Sequence, residues 1–298
     1  MTEHPRTLSF SPTGPPTGPP TGRTAVARPA QTHATLRPTD ESLIWPSSAR
    51  IQRAYLGDAR DLYPCDDHPA RKALDFAPFL ADSTRDERDF VHRQAAALAA
   101  AGIDQFIDLG CGLPHEPYLH TAVAQAHPDA RILYVDDNPV VLAHATALMT
   151  SCPPAATGHL LANLARPETI LTAPEITQVI DLGRPVALVL GAVLPYLAES
   201  DQELVAEVLG LYLKAVAAGS ALVLTHLTGD FAPHRMRRVA ELFTRTGLPT
   251  RLRSRSQITA LLDGWRIPHP GATTSTVSLT AQPTHPSASY AVVAHKDS

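Results

Sequence analysis

The residues best suited to chemistry close an apolar run: Gln105-Phe106-Ile107-Asp108-Leu109-Gly110-Cys111-Gly112. About one helix later a second apolar run, Ile132-Leu133-Tyr134-Val135, ends in Asp136 and Asp137. Gly110 and Gly112 allow a sharp turn after a strand and a close approach of backbone to ligand. Backbone N–H groups in such a loop, with the positive end of the next helix, favour an anion. A carboxylate that ends the second strand can accept both hydroxyls of a ribose. Asp-x-Gly-x-Gly with an acid one unit later is how a parallel α/β sheet holds a nucleoside whose ribose is free.

Two kinds of ligand fit that description. A dinucleotide puts its pyrophosphate at the loop and needs Gly-x-Gly-x-x-Gly, whose third glycine lets helix and strand pack closely. Here the third slot is His115, which argues against NAD or FAD. S-adenosylmethionine carries no phosphate. Its methionine part can lie by the loop with looser packing, and Asp108 can take its amino group directly or through water. Asp136 then serves the ribose. Asn163, after the third strand, is a short polar side chain at the place where the adenine edge is contacted. Asn138 also suits a helix cap. The expected cofactor-binding set is Asp108, Gly110, Cys111, Gly112, Asp136, Asp137, Asn163, Leu164 and Gly191. S-adenosylmethionine is the expected cofactor.

Methyl transfer from a sulfonium is an in-line displacement, in which the protein positions the acceptor and excludes water. A base is needed only where the acceptor proton is still attached at attack. Candidates must lie where strands end. Gly191-Ala192-Val193-Leu194-Pro195-Tyr196 follows the fourth strand, and its small residues can let the cofactor's reactive end pass. Tyr196 can wall the acceptor site, and His226 ends the fifth strand; these two are the catalytic candidates. His115, Tyr55 and Asp58 are weaker ones. Each has a plainer reading. His226 and Tyr196 suit core positions with satisfied tips, His115 a helix start, and Asp58 the surface. Cys111 suits a small hydrophobe. With 14 histidines in the chain, no single one is strong evidence. No Ser-His-Asp or metal-ligand spacing stands out.

The elements that must position these residues alternate. Residues 48–62 lean helical. Thr84-x-x-Glu87 reads as a capping box that opens a long Ala- and Leu-rich helix stopped by Gly102. The expected strands are Gln105–Leu109, Arg131–Val135, His159–Ala162, Val186–Leu190 and Ala221–Thr225. Helices are expected over 115–126, 140–149, 167–181 in one or two pieces, 203–216 behind a second box Ser200-x-x-Glu203, 233–246 and 256–262. Two β-rich runs, Thr276–Ala281 and Tyr290–Ala294, read as a terminal hairpin. This pattern implies a doubly wound, mostly parallel seven-stranded α/β sheet covered on both faces, with ligands beyond the C-terminal strand ends. The antiparallel ending favours the class I methyltransferase fold over a NAD-binding one.

Bulk properties narrow the function classes. At 298 residues a full core can form, and the net charge of −4 is mild. Without a dense Lys/Arg run, nucleic acid is not an expected partner. The three cysteines, Cys65, Cys111 and Cys152, are widely spaced and suit a reducing compartment. No stretch matches a membrane span or a signal peptide, so a cytoplasmic protein is expected. Residues 1–40 repeat Pro-Thr-Gly-Pro and bury too little apolar surface to order themselves. Residues 41–101 are expected to form a helical lid segment and 102–298 the cofactor-binding domain.

The chain also resembles a known family, the actinobacterial S-adenosyl methyltransferase-like proteins long treated as a domain of unknown function. The likeness covers Pro46 to Lys296. It is carried by Pro46-Ser47-Ser48-Ala49-Arg50-Ile51, by Gly102-Ile103-Asp104-Gln105-Phe106-Ile107-Asp108-Leu109-Gly110-Cys111-Gly112-Leu113-Pro114, by Val135-Asp136-Asp137-Asn138-Pro139-Val140-Val141-Leu142-Ala143-His144-Ala145 and by Arg184-Pro185-Val186-Ala187-Leu188. The resemblance implies a class I methyltransferase that binds S-adenosylmethionine through Asp108, Gly110, Gly112 and Asp136. One segment departs from the family pattern: Gln52-Arg53-Ala54-Tyr55-Leu56-Gly57-Asp58-Ala59-Arg60-Asp61 lacks one glycine and a Lys-Asp-Asn run, at a place expected to lie over the active site. The family also tends to have Asp where Asn163 stands. The expected activity is methyl transfer to a small molecule of secondary metabolism. The alternatives are an S-adenosylmethionine sensor or partner-binding protein without transfer and, further off, a Rossmann oxidoreductase. The sequence does not set the oligomeric state.

Overall fold

Alternation along the strands sorts the core into two layers. The computed structural model describes residues 44–149, 156–197, 202–268 and 287–297. Strands β1 (Gln105–Leu109), β2 (Arg131–Asp136), β3 (Ala156–Leu161), β4 (Ala187–Gly191), β5 (Ala221–Leu227) and β6 (Ser289–His295) form one sheet in the order β3-β2-β1-β4-β5-β6. All neighbours are parallel except β5 and β6. Successive side chains of a strand point to opposite faces. Phe106, Ile132, Tyr134, Val189 and Val223 therefore pack on one face, with Phe90, Val91 and Leu98 of α3 (Leu80–Ala100) and Val123 of α4 (Leu119–Ala126). Ile107, Leu133, Leu188, Leu222 and Leu224 face the other way. They meet Ile176 of α7 (Pro174–Val179), Val208 of α8 (Gln202–Ala215) and Ile258 of α10 (Arg255–Leu261). Helices α5 (Pro139–Met149) and α6 (Pro167–Leu171) complete the layers.

A third apolar cluster stands at the C-terminal end of β5. Ile51 and Tyr55 of α1 (Ser48–Tyr55), Ala70 and Ala73 of α2 (Pro64–Phe76) and Met236, Val239 and Phe243 of α9 (Pro233–Arg245) close around Leu227. A buried ion pair fixes this cap: Arg50 Nε donates to Asp66 Oδ2 at 2.6 Å, and Arg50 also bonds the Trp45 carbonyl at 2.8 Å.

Several boundaries differ from the sequence reading, each for a local reason. The helix expected over 48–62 ends at Tyr55, and α2 was not anticipated. Thr84 and Glu87 do not open α3. They lie inside it, with the Thr84 hydroxyl donating to the Leu80 carbonyl one turn back at 3.0 Å. Helix α4 begins at Leu119 rather than His115, because Pro117 disfavours the helical conformation at the residue before it. Strand β3 starts earlier than expected, at Ala156, paired along β2. Strand β5 runs two residues past Thr225, since Ser289 and Tyr290 of β6 pair with Leu227 and His226. The described sheet has six strands rather than seven. The terminal β-run Tyr290–Ala294 is part of β6 and pairs with β5. The expected hairpin partner Thr276–Ala281, the box at Ser200 and the tail over 1–40 lie outside the described residues.

Candidate functional site

The loop after β1 is held by β2. The N–H groups of Gly110 and Cys111 both donate to the Val135 carbonyl, at 2.8 and 3.1 Å. Gly110 has φ +78, and a Cβ there would lie 2.3 Å from Val193 Cγ2. Only glycine fits both the conformation and the space. Gly112 also has positive φ, and its N–H donates to Asp136 Oδ2 at 3.0 Å. Asp136 Oδ1 accepts the Asn138 N–H at 3.0 Å. One carboxylate thus ties the glycine loop to the turn after β2. Burial pushes Asp136 up to about 6, against the pull of those two hydrogen bonds.

Beside it, the Asn163 amide nitrogen donates to Asp137 Oδ2 at 3.1 Å while its oxygen accepts the Ala165 N–H at 2.8 Å. Burial raises Asp137 as well. Asn138 caps α5, accepting the Val140 N–H at 2.9 Å. Leu164 is buried, and its carbonyl accepts the Tyr212 hydroxyl at 3.0 Å. Asp136, Asp137, Asn163 and Leu164 line a cleft of about 1030 Å³, mouth included, whose wall also holds Trp45, Ser47 and Gln52 from the cap.

A second cleft of about 990 Å³, mouth included, adjoins the first. The two share Gln52, Gly110, Gly112, Gly191, Ala192 and Tyr196 as their common wall. Ala192 has φ +53, a strained conformation for a residue with a side chain, and its N–H donates to Thr225 Oγ1 at 2.8 Å. The second cleft is lined by Asp108 from β1, Thr225 from β5 and Thr84, Glu87, Arg88, Val91 and His92 from α3. These α3 positions recur at helical spacing and so present one face.

Burial pushes Asp108 up to about 7; the Arg88 guanidinium acts against that shift and the Asp136 charge adds to it. Arg88 donates to the carbonyls of His115 and Pro117, and its buried Nε has no partner among the described residues. Burial, reinforced by Arg88, takes His92 down to about 3. Cys111 is half-buried beside Asp136, and its thiol is pushed up by burial.

The catalytic candidates separate. Tyr196 stands on the wall shared by both clefts, its phenol raised by burial and by the Glu87 charge. His226 does not reach either cleft. Because β5 continues to Leu227, alternation turns Thr225 toward α3 and His226 to the opposite face. There Nδ1 meets the Leu227 carbonyl at 2.8 Å and Nε2 meets Arg253 at 2.9 Å, so the ring is a satisfied core group. Burial takes it down to about 3.

His115 lines the second cleft from a loop rather than a helix start. Its slot is therefore not the helix–strand contact on which the argument against a dinucleotide relied. Tyr55 also lines the cleft, but its hydroxyl donates to the Ala70 carbonyl at 2.9 Å. Asp58 bonds Arg53 and Arg60, which hold it well below the usual carboxylate range. The departing 52–61 segment is thus stitched by its own ion pairs. Sequence reasoning missed Gln52, Glu87, Arg88 and Thr225. The signal present for Glu87 and Arg88 was polar residues interrupting the apolar face of a long helix.

Residues 37–296 match the family described as S-adenosyl methyltransferase. The chain belongs to this family. A DUF574 family protein from Streptomyces avermitilis is 33% identical, with a TM-score of 0.76 over 85% of this chain and 98% of that one. A protein of Thermobifida fusca described as a candidate methyltransferase is 30% identical, with a TM-score of 0.76 over 88% and 98%. No curated protein matches the sequence. The protein is an S-adenosylmethionine-dependent methyltransferase with the class I fold.

The residues present fit that cofactor. The methyltransferase has a half-buried carboxyl and a guanidinium with an unpartnered Nε on one wall, which complement the ammonium and carboxylate of an α-amino acid. Among the described residues no helix is long and apolar enough to cross a membrane, and no group of three or more His, Cys, Asp or Glu side chains could hold a metal ion.

Proposed function

We propose that this methyltransferase acts on a small molecule seated in the cleft between α3 and Tyr196, with the nucleoside end of the cofactor in the adjoining cleft. The observation that carries the reading is the shared wall: two clefts meet along Gly110, Gly112, Gly191 and Ala192. Residues this small let two ligands come into contact across them.

Asp136 accepts the ribose hydroxyls on lone pairs that the Gly112 and Asn138 N–H groups leave free. Asp137 and Asn163 border the adenine. Asp108 takes the amino group and Arg88 the carboxylate of the methionine part, each a charge-assisted bond in a site screened from water. When bound, the cofactor supplies an activated methyl group on a sulfonium. The protein's share is position and dryness: Tyr196, Leu56, Leu227 and Phe243 exclude water from the reaction side.

Calorimetry with S-adenosylhomocysteine tests the placement. Micromolar binding is expected, lost in Asp136→Ala. Binding unchanged by that substitution would refute the assignment of this cleft.

A further inference from the structure

Within the reaction-side cleft one group is unexplained by the cofactor. Glu87 is 5% exposed, and its Oε1 accepts the Ser289 hydroxyl from β6. Its buried Oε2 has no partner at hydrogen-bond distance among the described residues, and the nearby Thr225 hydroxyl, like that of Ser289, acts to lower the carboxyl. A buried acceptor left unmatched costs free energy, so such a group calls for a partner that arrives from outside the fold. No cation of the protein is among the influences on its charge; Asp86, of like sign, is. The cleft that Glu87 lines also holds Tyr55, Tyr196, Phe243, Leu56, Leu80 and Leu227, with Arg88 on the wall assigned to the methionine part. A carboxyl with an open oxygen and no ion pair, in a cleft that also presents aromatic and aliphatic side chains, complements an ammonium group on an apolar body.

We infer that the acceptor is a small apolar amine whose nitrogen is held by the free oxygen of Glu87. The inference rests on the proposed function and names the substrate class of that same site. The bound ammonium first gives a proton to the Glu87 carboxylate, and the freed lone pair on nitrogen then forms the new N–C bond as the S–C bond breaks with its electron pair left on sulfur. The methylated product leaves as a secondary ammonium, and Glu87 returns its proton to solvent. Burial has already pushed this carboxyl up to about 7, which suits it to accept a proton near neutral pH.

The test uses the full chain saturated with S-adenosylhomocysteine. Benzylamine, 2-phenylethylamine and tyramine are titrated calorimetrically, each against the alcohol that carries hydroxyl in place of the amine. At least one amine is expected to bind tenfold or more tighter than its alcohol. That preference should vanish in Glu87→Gln and persist in Ser289→Ala, which keeps the carboxylate. If no amine outbinds its alcohol on the wild type, or if the preference survives Glu87→Gln, the inference is overturned. It is also overturned if Glu87→Gln weakens S-adenosylmethionine but not S-adenosylhomocysteine, because the carboxylate would then be facing the sulfonium. Failure of S-adenosylhomocysteine itself to bind the wild type would instead defeat the proposed function, and this inference with it.

Discussion

Asp136 joins two tasks, and its substitution should reveal both. It accepts two backbone N–H groups that shape the glycine loop and the turn after β2, and it faces the cleft assigned to the ribose. Hydrogen bonds to a charged group contribute about 1.5–3 kcal/mol each. Asp136→Ala should therefore weaken S-adenosylhomocysteine binding by about 100-fold in calorimetry. Arg88 can be tested more selectively. Arg88→Met should cost about tenfold toward S-adenosylhomocysteine and leave 5′-methylthioadenosine, which lacks the amino-acid part, unchanged within twofold. Equal losses for both ligands would show that Arg88 shapes the cleft instead of reading the carboxylate.

Asp108 and Asp136 could be found in the sequence because each ends an apolar run whose strand character is plain, so their place at the sheet's C-terminal edge followed. Arg88 and Glu87 left a local signal, polar residues on the apolar face of a helix, but nothing local ties that face, about twenty residues upstream, to the sheet's edge. His226 was misread because pairing with β6, some sixty residues later, carries β5 past it, so that alternation puts its side chain on the face of Leu222 and Leu224 instead of in the loop beyond the strand.

Among the elements, the β1–α4 loop is the most constrained. Gly110→Ala meets Val193 and must hold φ +78, so it should cost about 2–4 kcal/mol in urea unfolding. Adding Val193→Ala should recover part of that loss, since the overlap is relieved and the backbone strain stays. A Gly110→Ala protein of wild-type stability would show that the loop can rearrange freely. The parallel strands were legible element by element, because unbroken apolar runs between helices leave few alternatives. Helix starts were not. The Thr84-x-x-Glu87 pattern occurs inside α3 because Leu80, Ala81 and Asp82 before it tolerate helix equally well.

Across the whole molecule, buried ionisable groups set opposing pH dependences. His92 and His226 are taken from the ordinary 6.5 to about 3 in the fold. Unfolded histidines bind protons below about 6.5 while these do not, so their share of stability falls as pH drops from there toward 3. Glu87 and Asp108 are raised to about 7. They stay protonated in the fold where the unfolded chain has ionised, so their share falls as pH rises from about 4 to 7. Glu87→Gln removes one contribution of the second kind. Relative to wild type it should gain up to about 3 kcal/mol between pH 4 and pH 8, measured as the difference in urea unfolding free energies. A constant difference across that range would mean that Glu87 titrates normally in the fold.

The party wall of small residues has a kinetic corollary. Since Asp108 and Arg88 line the reaction-side cleft, the amino-acid arm of the spent cofactor in this placement lies beside the methylated product, with the nucleoside across the partition. A bulky substituent on the methylated product should therefore hinder release of S-adenosylhomocysteine more than that of 5′-methylthioadenosine, which has no such arm to collide with it.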